Sequence, residues 1–367
     1  YKNYMTVKPF RLPIKGKEPK FLNSSNPTSL HPSDKRPISY RHAFEIVYVE
    51  DGVDSQRVSE ILSLVQPREV IPIHHYKDVF CRPHQDVVLQ KQSPALILAN
   101  KRAPFFYPGA PVCQSFGNEH FYYTSVAMNC LFDCEYCYLQ GMYPSGNVVV
   151  FLNYQDYLYE LNHLLTQHSV YLCLSYDTDL FPLEAISHAI SFWLDVASTK
   201  ENFRMEIRTK AAPKHLRPLP NVYYAFTISP QPVIDAYEHR AASLQNRLQA
   251  VKEALAAGCK VRLCFDPMIV VPNWEDIYKE MLQEVLSTVP IEQLSDVSIG
   301  SFRISKDYLK ILRRVRPDGA IGFYPFRLKD GYYHYPDDTA ARMQSLVYDA
   351  IASRLPAERI FFDQESL

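Results

Sequence analysis

Three cysteines, Cys130, Cys134 and Cys137, stand together in the segment Val126-Ala-Met-Asn-Cys130-Leu-Phe-Asp-Cys134-Glu-Tyr136-Cys137-Tyr138-Leu-Gln-Gly. The spacing is C-x3-C-x2-C. Three thiolates on so short a segment can converge on one metal centre, and soft sulfur ligands suit iron–sulfur clusters and zinc. A structural zinc site wants four ligands. Only three are local here, although His120 or Cys113 could complete such a set. A 4Fe–4S cluster held by three cysteines instead leaves one iron open for a further ligand. The chain has 8 Cys in 367 residues, too sparse for a disulfide scaffold, and their clustering points to metal or redox chemistry.

The elements around the cysteines place them. HFYYTSVA reads as a strand, so the cluster lies on a loop at a strand's C-terminal end. Beyond it, YQDYLYELNHLLTQH reads as a helix, VYLCLS as a strand, LEAISHAISFWLDVA as a helix, and FRMEIRT and NVYYAFTIS as strands. SLQNRLQAVKEALAAG reads as a helix ending at Gly258, KVRLCF as a strand, WEDIYKEMLQEVLS as a helix and DVSIGSF as a strand. Such alternation implies parallel strands joined by crossover helices. It predicts a partial (β/α)6-type TIM barrel, with the active site at the C-terminal ends of the strands. GAIGFYPFRLKDGYYHYP predicts a C-terminal β-hairpin turning at Lys329-Asp330-Gly331, followed by a helix and the short strand RIFFD.

Upstream, residues 1–40 read as a basic, Pro-rich tail, and residues 41–115 as a small α/β extension. Within that extension FEIVYV and EVIPI are strands, DSQRVSEILSLV is a helix capped near Asp54 or Ser55, and RAPFFYPGAPVCQ is a loop. Residues 116–367 then form the barrel.

The cysteine spacing, with an aromatic just before the third cysteine, resembles the signature of the radical S-adenosylmethionine superfamily. There the open iron is chelated by S-adenosylmethionine, and an electron from the cluster yields a 5′-deoxyadenosyl radical. The run Cys134-Glu-Tyr136-Cys137-Tyr138-Leu-Gln further resembles the C-x-Y-C-Y-L-Q run of the spore photoproduct lyase family. Arg208-Thr-Lys210, Phe226-Thr227-Ile-Ser, Val233-Ile-Asp-Ala-Tyr-Glu238 with Arg247-Leu-Gln-Ala, and Phe302-Arg303-Ile are similar to later segments of that family. The resemblance covers roughly residues 44–365.

It implies a 4Fe–4S cluster on the three cysteines and S-adenosyl-L-methionine as cofactor. It implies reversal of the UV lesion 5-thyminyl-5,6-dihydrothymine in DNA to two thymines. Lys210 is then expected to meet the cofactor's carboxylate, and Thr227 to hold a ribose or carboxylate oxygen. Tyr136 would pack on adenine or, like Tyr138, relay a hydrogen atom. Arg303, Tyr332 and Tyr333 would face the substrate, with Phe323, Tyr324 and Tyr335 as companions in a hairpin wedge. Arg313, Arg314, Arg316, Arg327 and Lys329 are candidates for phosphate contacts.

One departure stands out. The family's reaction ends when a cysteine in a C-T-S-D run gives hydrogen to the product radical. Here the strand reads Tyr171-Leu-Cys173-Leu-Ser175-Tyr176-Asp-Thr178-Asp179. The favoured alignment puts Tyr176 at the cysteine position and Thr178 at the serine; a shifted register puts Cys173 and Ser175 there. Cys113, on the loop before the cluster, is the first alternative thiol and Cys173 the second. Two rivals follow: a radical enzyme of this family acting on another substrate, and a non-catalytic, metal-stabilised nucleic-acid-binding protein.

Bulk properties agree with an enzyme. The chain is 47% hydrophobic and 22% charged, with a formal net charge of −1, so it is no global trap for nucleic acid. No apolar run approaches the length of a membrane helix. The expectation is a cytoplasmic monomer served by an external reductant of flavodoxin or ferredoxin type.

Overall fold

A computed structural model of the chain describes residues 40, 43–109 and 113–363. The tail predicted over residues 1–40 lies outside the described residues, Tyr40 apart.

Two sheets organise the molecule. The first is built on Ile46–Glu50, which pairs in parallel with Glu69–Ile73 on one side and Leu96–Ala99 on the other. Asp54 caps the intervening helix Ser55–Val65, its side chain accepting from the Gln56 and Arg57 amides. Val148–Phe151 extends this sheet in parallel beside Leu96–Ala99, and Ala127–Met128 closes it antiparallel. Both Leu96–Ala99 and Val148–Phe151 are buried at every position. That is why they read as continuous apolar runs without alternation.

The second sheet has eight strands. Phe121–Thr124, Val170–Cys173, Phe203–Thr209, Val222–Thr227, Lys260–Met268 and Asp296–Ser301 lie side by side in chain order, all parallel. Ile360–Phe362 adds a parallel strand at one edge, and Phe106–Pro108 an antiparallel one at the other. The fold is therefore mixed α/β, with sheets of mixed orientation. Helices Tyr154–Leu165, Ala189–Ser198, Leu244–Ala256 and Trp274–Thr288 make the crossovers. Ser243 caps the third of these, and Gly258 at φ +83° ends it.

Three local expectations are corrected. The strand Phe106–Pro108 lies in what the sequence gives as a Pro-rich loop; as an edge strand it tolerates Pro108. The strand Val148–Phe151 is absent from the sequence reading. The helix expected over LEAISHAISFWLDVA is broken at His188, which takes φ +53°. Glu184 accepts from the Ile190 and Ser191 amides there, so a carboxylate satisfies the new helix start. The C-terminal hairpin forms as expected: Arg327–Lys329 pairs with Tyr332–His334 across Asp330 and Gly331, both at positive φ. A third strand, Arg303–Ser305, pairs with it and ties the hairpin to the large sheet.

Candidate active site

The cysteine segment is shaped by its own residues. Asn129, at φ +72°, turns the chain just before Cys130, a conformation Asn tolerates. Its buried amide donates to the Ser145 and Asn147 carbonyls and so closes the loop. Asp133–Cys134 forms a short antiparallel bridge with Glu238–His239. The Cys137 amide donates to the Cys134 carbonyl at 3.1 Å, and the helical turn Leu139–Met142 follows. From outside, Arg316 donates to Gln140 Oε1 at 2.9 Å and pairs with Asp133. Lys91 Nζ donates to the Cys130 carbonyl at 2.6 Å.

Cys130, Cys134 and Cys137 carry free thiols and line one cavity of about 540 Å³. Burial pushes the Cys130 thiol up to about 12 and raises the other two as well. Buried thiols of this kind stay protonated until a metal centre displaces the protons. Among the described residues, no three His, Cys, Asp or Glu side chains close around a single-ion site. The donor set, three soft thiols on one loop facing a cavity with room for a ligand, fits a cluster with an open corner.

The opposite wall comes from strand ends. Lys210 follows Phe203–Thr209, and its Nζ lies 3.0 Å from Glu238 Oε1, 2.5 Å from the Tyr136 hydroxyl and 3.8 Å from Cys134 Sγ. Burial opposes the lysine's charge, but Cys134 and Glu238 outweigh it and raise its pKa. Glu238, fully enclosed, also accepts from Ser229 Oγ at 2.7 Å and from Arg247 at 2.5 Å. These cations hold its carboxyl below the usual range against the push of burial. Tyr136, donating to Glu238, is raised by burial and then by that carboxylate. Asp179 accepts from the Lys210 amide at 2.7 Å and Thr209 Oγ1 at 2.8 Å, fixing the strand end; burial lifts it to about 6.

Thr227 and Thr178 line the cavity from buried positions. Ser175 lines it too, but its hydroxyl donates to the Arg208 carbonyl and accepts from the Arg208 amide, clasping the neighbouring strand. Cys173 is buried and faces the same space. Cys113 Sγ donates to the Tyr176 hydroxyl at 3.9 Å. Burial raises the Cys113 thiol, and burial followed by Cys113 raises the Tyr176 phenol. The Tyr176 ring stacks on Tyr123 at 4.1 Å and lies 6.0 Å from Tyr138, whose hydroxyl donates to the Tyr176 carbonyl.

On the hairpin side, Arg303 and Tyr332 line the cavity, whereas Tyr333 does not: its ring lies 5.8 Å from the Arg313 guanidinium. Tyr335 is buried and accepts from the Val270 amide. Arg313 donates to the Gly322 carbonyl, and Arg316 is engaged as described, which leaves Arg314, Arg327 and Lys329 exposed. Arg208 and Asp266 are among the cavity residues to which the sequence assigns no role. Arg208 bridges Glu206 at 3.1 Å and Asp266 at 3.5 Å, and Asp266 also lies 3.7 Å from Arg303. Arg208 is visible beside Lys210 in the sequence. Asp266 is not, because it sits in a register shift between Phe265 and Met268.

A family model described as spore photoproduct lyase matches residues 118–362. A spore photoproduct lyase of Geobacillus sp. (strain Y412MC61) is 23% identical over 262 residues, spanning 65% of this chain and 75% of the relative. One of Clostridium acetobutylicum is 25% identical over 209 residues, spanning 54% and 61%. Among solved structures, a spore photoproduct lyase mutant with bound AdoMet and dinucleoside spore photoproduct superposes with TM-score 0.72 at 18% identity, over 87% of this chain and 98% of that one. A spore photoproduct lyase complexed with the dinucleoside lesion gives TM-score 0.71 over the same shares. Fold, cysteine loop and family match define a lyase of the radical S-adenosylmethionine class. The chain belongs to the spore photoproduct lyase family.

Proposed function

We propose that this chain returns 5-thyminyl-5,6-dihydrothymine in DNA to two thymines, with Cys130, Cys134 and Cys137 holding a 4Fe–4S cluster beside S-adenosylmethionine. The observation that carries the reading is the meeting, in one cavity, of three free thiols, Lys210 and the Cys113–Tyr176 pair. Held by the three cysteines and Lys210, cluster and cofactor would supply the radical hydrogen abstraction that opens the lesion.

The chain's own residues bind, shield and return hydrogen. Lys210 pairs with the cofactor's carboxylate, and Thr227 and Thr178 offer hydroxyls to its polar edge. Ser175 orients Arg208 from behind. Tyr136 packs beneath the cofactor. Cys113 gives its thiol hydrogen atom to the thymine radical; Tyr176 then passes its phenolic hydrogen to the sulfur, and Tyr138 passes its own to Tyr176 and recovers a hydrogen atom from 5′-deoxyadenosine. Cys173 is the second candidate thiol. Arg303 and Tyr332 hold the substrate, and the outer hairpin, with Tyr333 and exposed Phe323, Arg327 and Lys329, meets the duplex from which the lesion is flipped.

The same reading gives an α/β extension over residues 41–115 and a partial (β/α)6 barrel over residues 116–367, supported by six parallel strands in chain order. It also gives a cytoplasmic monomer reduced by a flavodoxin- or ferredoxin-type donor. No described helix is long and apolar enough to cross a membrane.

A second reading rests on Tyr176 standing where the family has cysteine: the same chemistry on a different substrate. Anaerobic reconstitution with reductant, S-adenosylmethionine and a lesion-bearing oligonucleotide separates the two. Lesion loss with thymine formation supports repair; cofactor cleavage with the lesion untouched supports the other substrate.

A further inference from the structure

Lys91 lies on the short helix Val87–Gln92, in the N-terminal part of the chain, and its residue is only 4% exposed. Lysine is almost never buried to this degree without an anion beside it, because an ammonium stripped of water is costly. Lys91 has no carboxylate at ion-pair distance among the described residues; its one hydrogen-bond acceptor is the Cys130 carbonyl at 2.6 Å.

The placement is built rather than incidental. Gln90 on the same helix accepts from the Gly146 amide at 2.8 Å and from Ser145 Oγ at 3.3 Å. A Cβ on Gly146 would lie 2.6 Å from the Val87 carbonyl and 2.9 Å from the Lys91 amide, so only glycine lets the segment after the cysteines press onto this helix. The ammonium is thereby fixed against the loop that carries the three thiols. What is missing beside Lys91 is negative charge. A 4Fe–4S cluster on three thiolates brings one net negative charge, and two after taking an electron.

We propose that Lys91 is the fixed counter-charge of the cluster, a positioning residue delivered by the N-terminal part of the chain that raises the cluster's reduction potential. The proposal rests on the reading that Cys130, Cys134 and Cys137 hold that cluster. A buried positive charge stabilises the reduced, more negative state more than the oxidised one, and low dielectric strengthens the effect.

The test uses the full chain, reconstituted anaerobically, with iron and sulfide content and an EPR-monitored dithionite titration as readouts. Lys91→Gln keeps a donor for the Cys130 carbonyl but removes the charge; Lys91→Arg keeps the charge. Lys91→Gln is expected to hold its cluster while its reduced-to-oxidised ratio at fixed potential falls about tenfold, a midpoint about 59 mV more negative for one electron. Lys91→Arg is expected to stay close to the parent. A parent-like midpoint in Lys91→Gln overturns the proposal. Loss of the cluster from Lys91→Gln alone supports it, since Lys91→Arg then restores loading through charge. Loss from both means that the position serves packing, and overturns it. A parent chain that takes up no cluster fails the cluster reading itself, a result distinct from an unchanged midpoint in a loaded variant.

Discussion

Lys210 joins the two halves of the site. Its ammonium lies within 3.8 Å of Cys134 Sγ and 3.0 Å of Glu238, and stands 4.5 Å from the centre of the Tyr136 ring. Glu238 does not depend on it alone, because Arg247 also binds that carboxylate from a fully buried position. Removing Lys210 should therefore spare the fold and the cysteine loop. Lys210→Ala is expected to keep parent-like iron and sulfide but to weaken S-adenosylmethionine binding by about 1.5–3 kcal/mol, one hydrogen bond to a charged group. Calorimetric titration of the reconstituted chain checks this; unchanged affinity removes Lys210 from the cofactor's carboxylate. Cys113 and Tyr176 are a second junction at this scale. Sixty-three positions apart in sequence, they touch in the fold.

At the scale of elements, the cysteine loop is held by packing as much as by hydrogen bonds. The turn Leu139–Met142 lies on the helix Lys306–Val315, and Gly141 is the point of contact. A Cβ there would stand 2.6 Å from the Cα and carbonyl oxygen of Tyr308. The neighbour is backbone and cannot yield cheaply. Gly141→Ala is expected to cost about 1–3 kcal/mol by overpacking and to lower iron content after reconstitution. Urea denaturation and iron assay report both; parent-like values would mean the two helices separate freely. Much at this level was legible in sequence. The strand end at Thr209, the cap at Asp54 and the Asp330-Gly331 turn follow from local chemistry that tertiary context does not override. The strand Val148–Phe151 was not legible, since a short run buried on both faces has no period to read. Neither was the break at His188, where a carboxylate of the preceding turn, Glu184, caps the new helix start against an unbroken apolar pattern. The site followed the same division: the cysteines announce themselves by spacing, whereas Asp266 and Lys91 acquire meaning only through neighbours remote in sequence.

At the scale of the whole molecule, the large sheet is crossed by buried charge. Arg262, 1% exposed, holds Glu206 and Asp296, and donates to the Tyr171 hydroxyl at 2.8 Å. Burial alone would raise the Glu206 carboxyl, but Arg208 and Arg262 overcome it and hold it below its ordinary value of 4.5; Glu238 is held down likewise by Lys210 and Arg247. A carboxyl depressed in the folded state contributes stability above its unfolded pKa and loses it as pH falls through the folded value. Asp179, raised from 3.8 to about 6, acts in the opposite sense across that interval. Asp177 is raised by burial as well, but below 3.8 neither raised carboxyl gains further while Glu206 and Glu238 go on losing, so the urea midpoint is expected to fall as the pH drops below 3.8. A midpoint that holds or rises in acid would contradict the buried-charge account.

The claim that unites these scales is that one cavity both opens the lesion and returns a hydrogen atom from a thiol. It is tested most directly by incubating the reconstituted chain, reductant and S-adenosylmethionine with the lesion dinucleotide in D2O and weighing the products by mass spectrometry. Two thymines, one carrying solvent deuterium delivered through the exchangeable thiol, are expected from the parent. Cys113→Ala is expected to consume lesion yet give off-path products. An unconsumed lesion in the parent, or clean repair without solvent deuterium, would contradict the account.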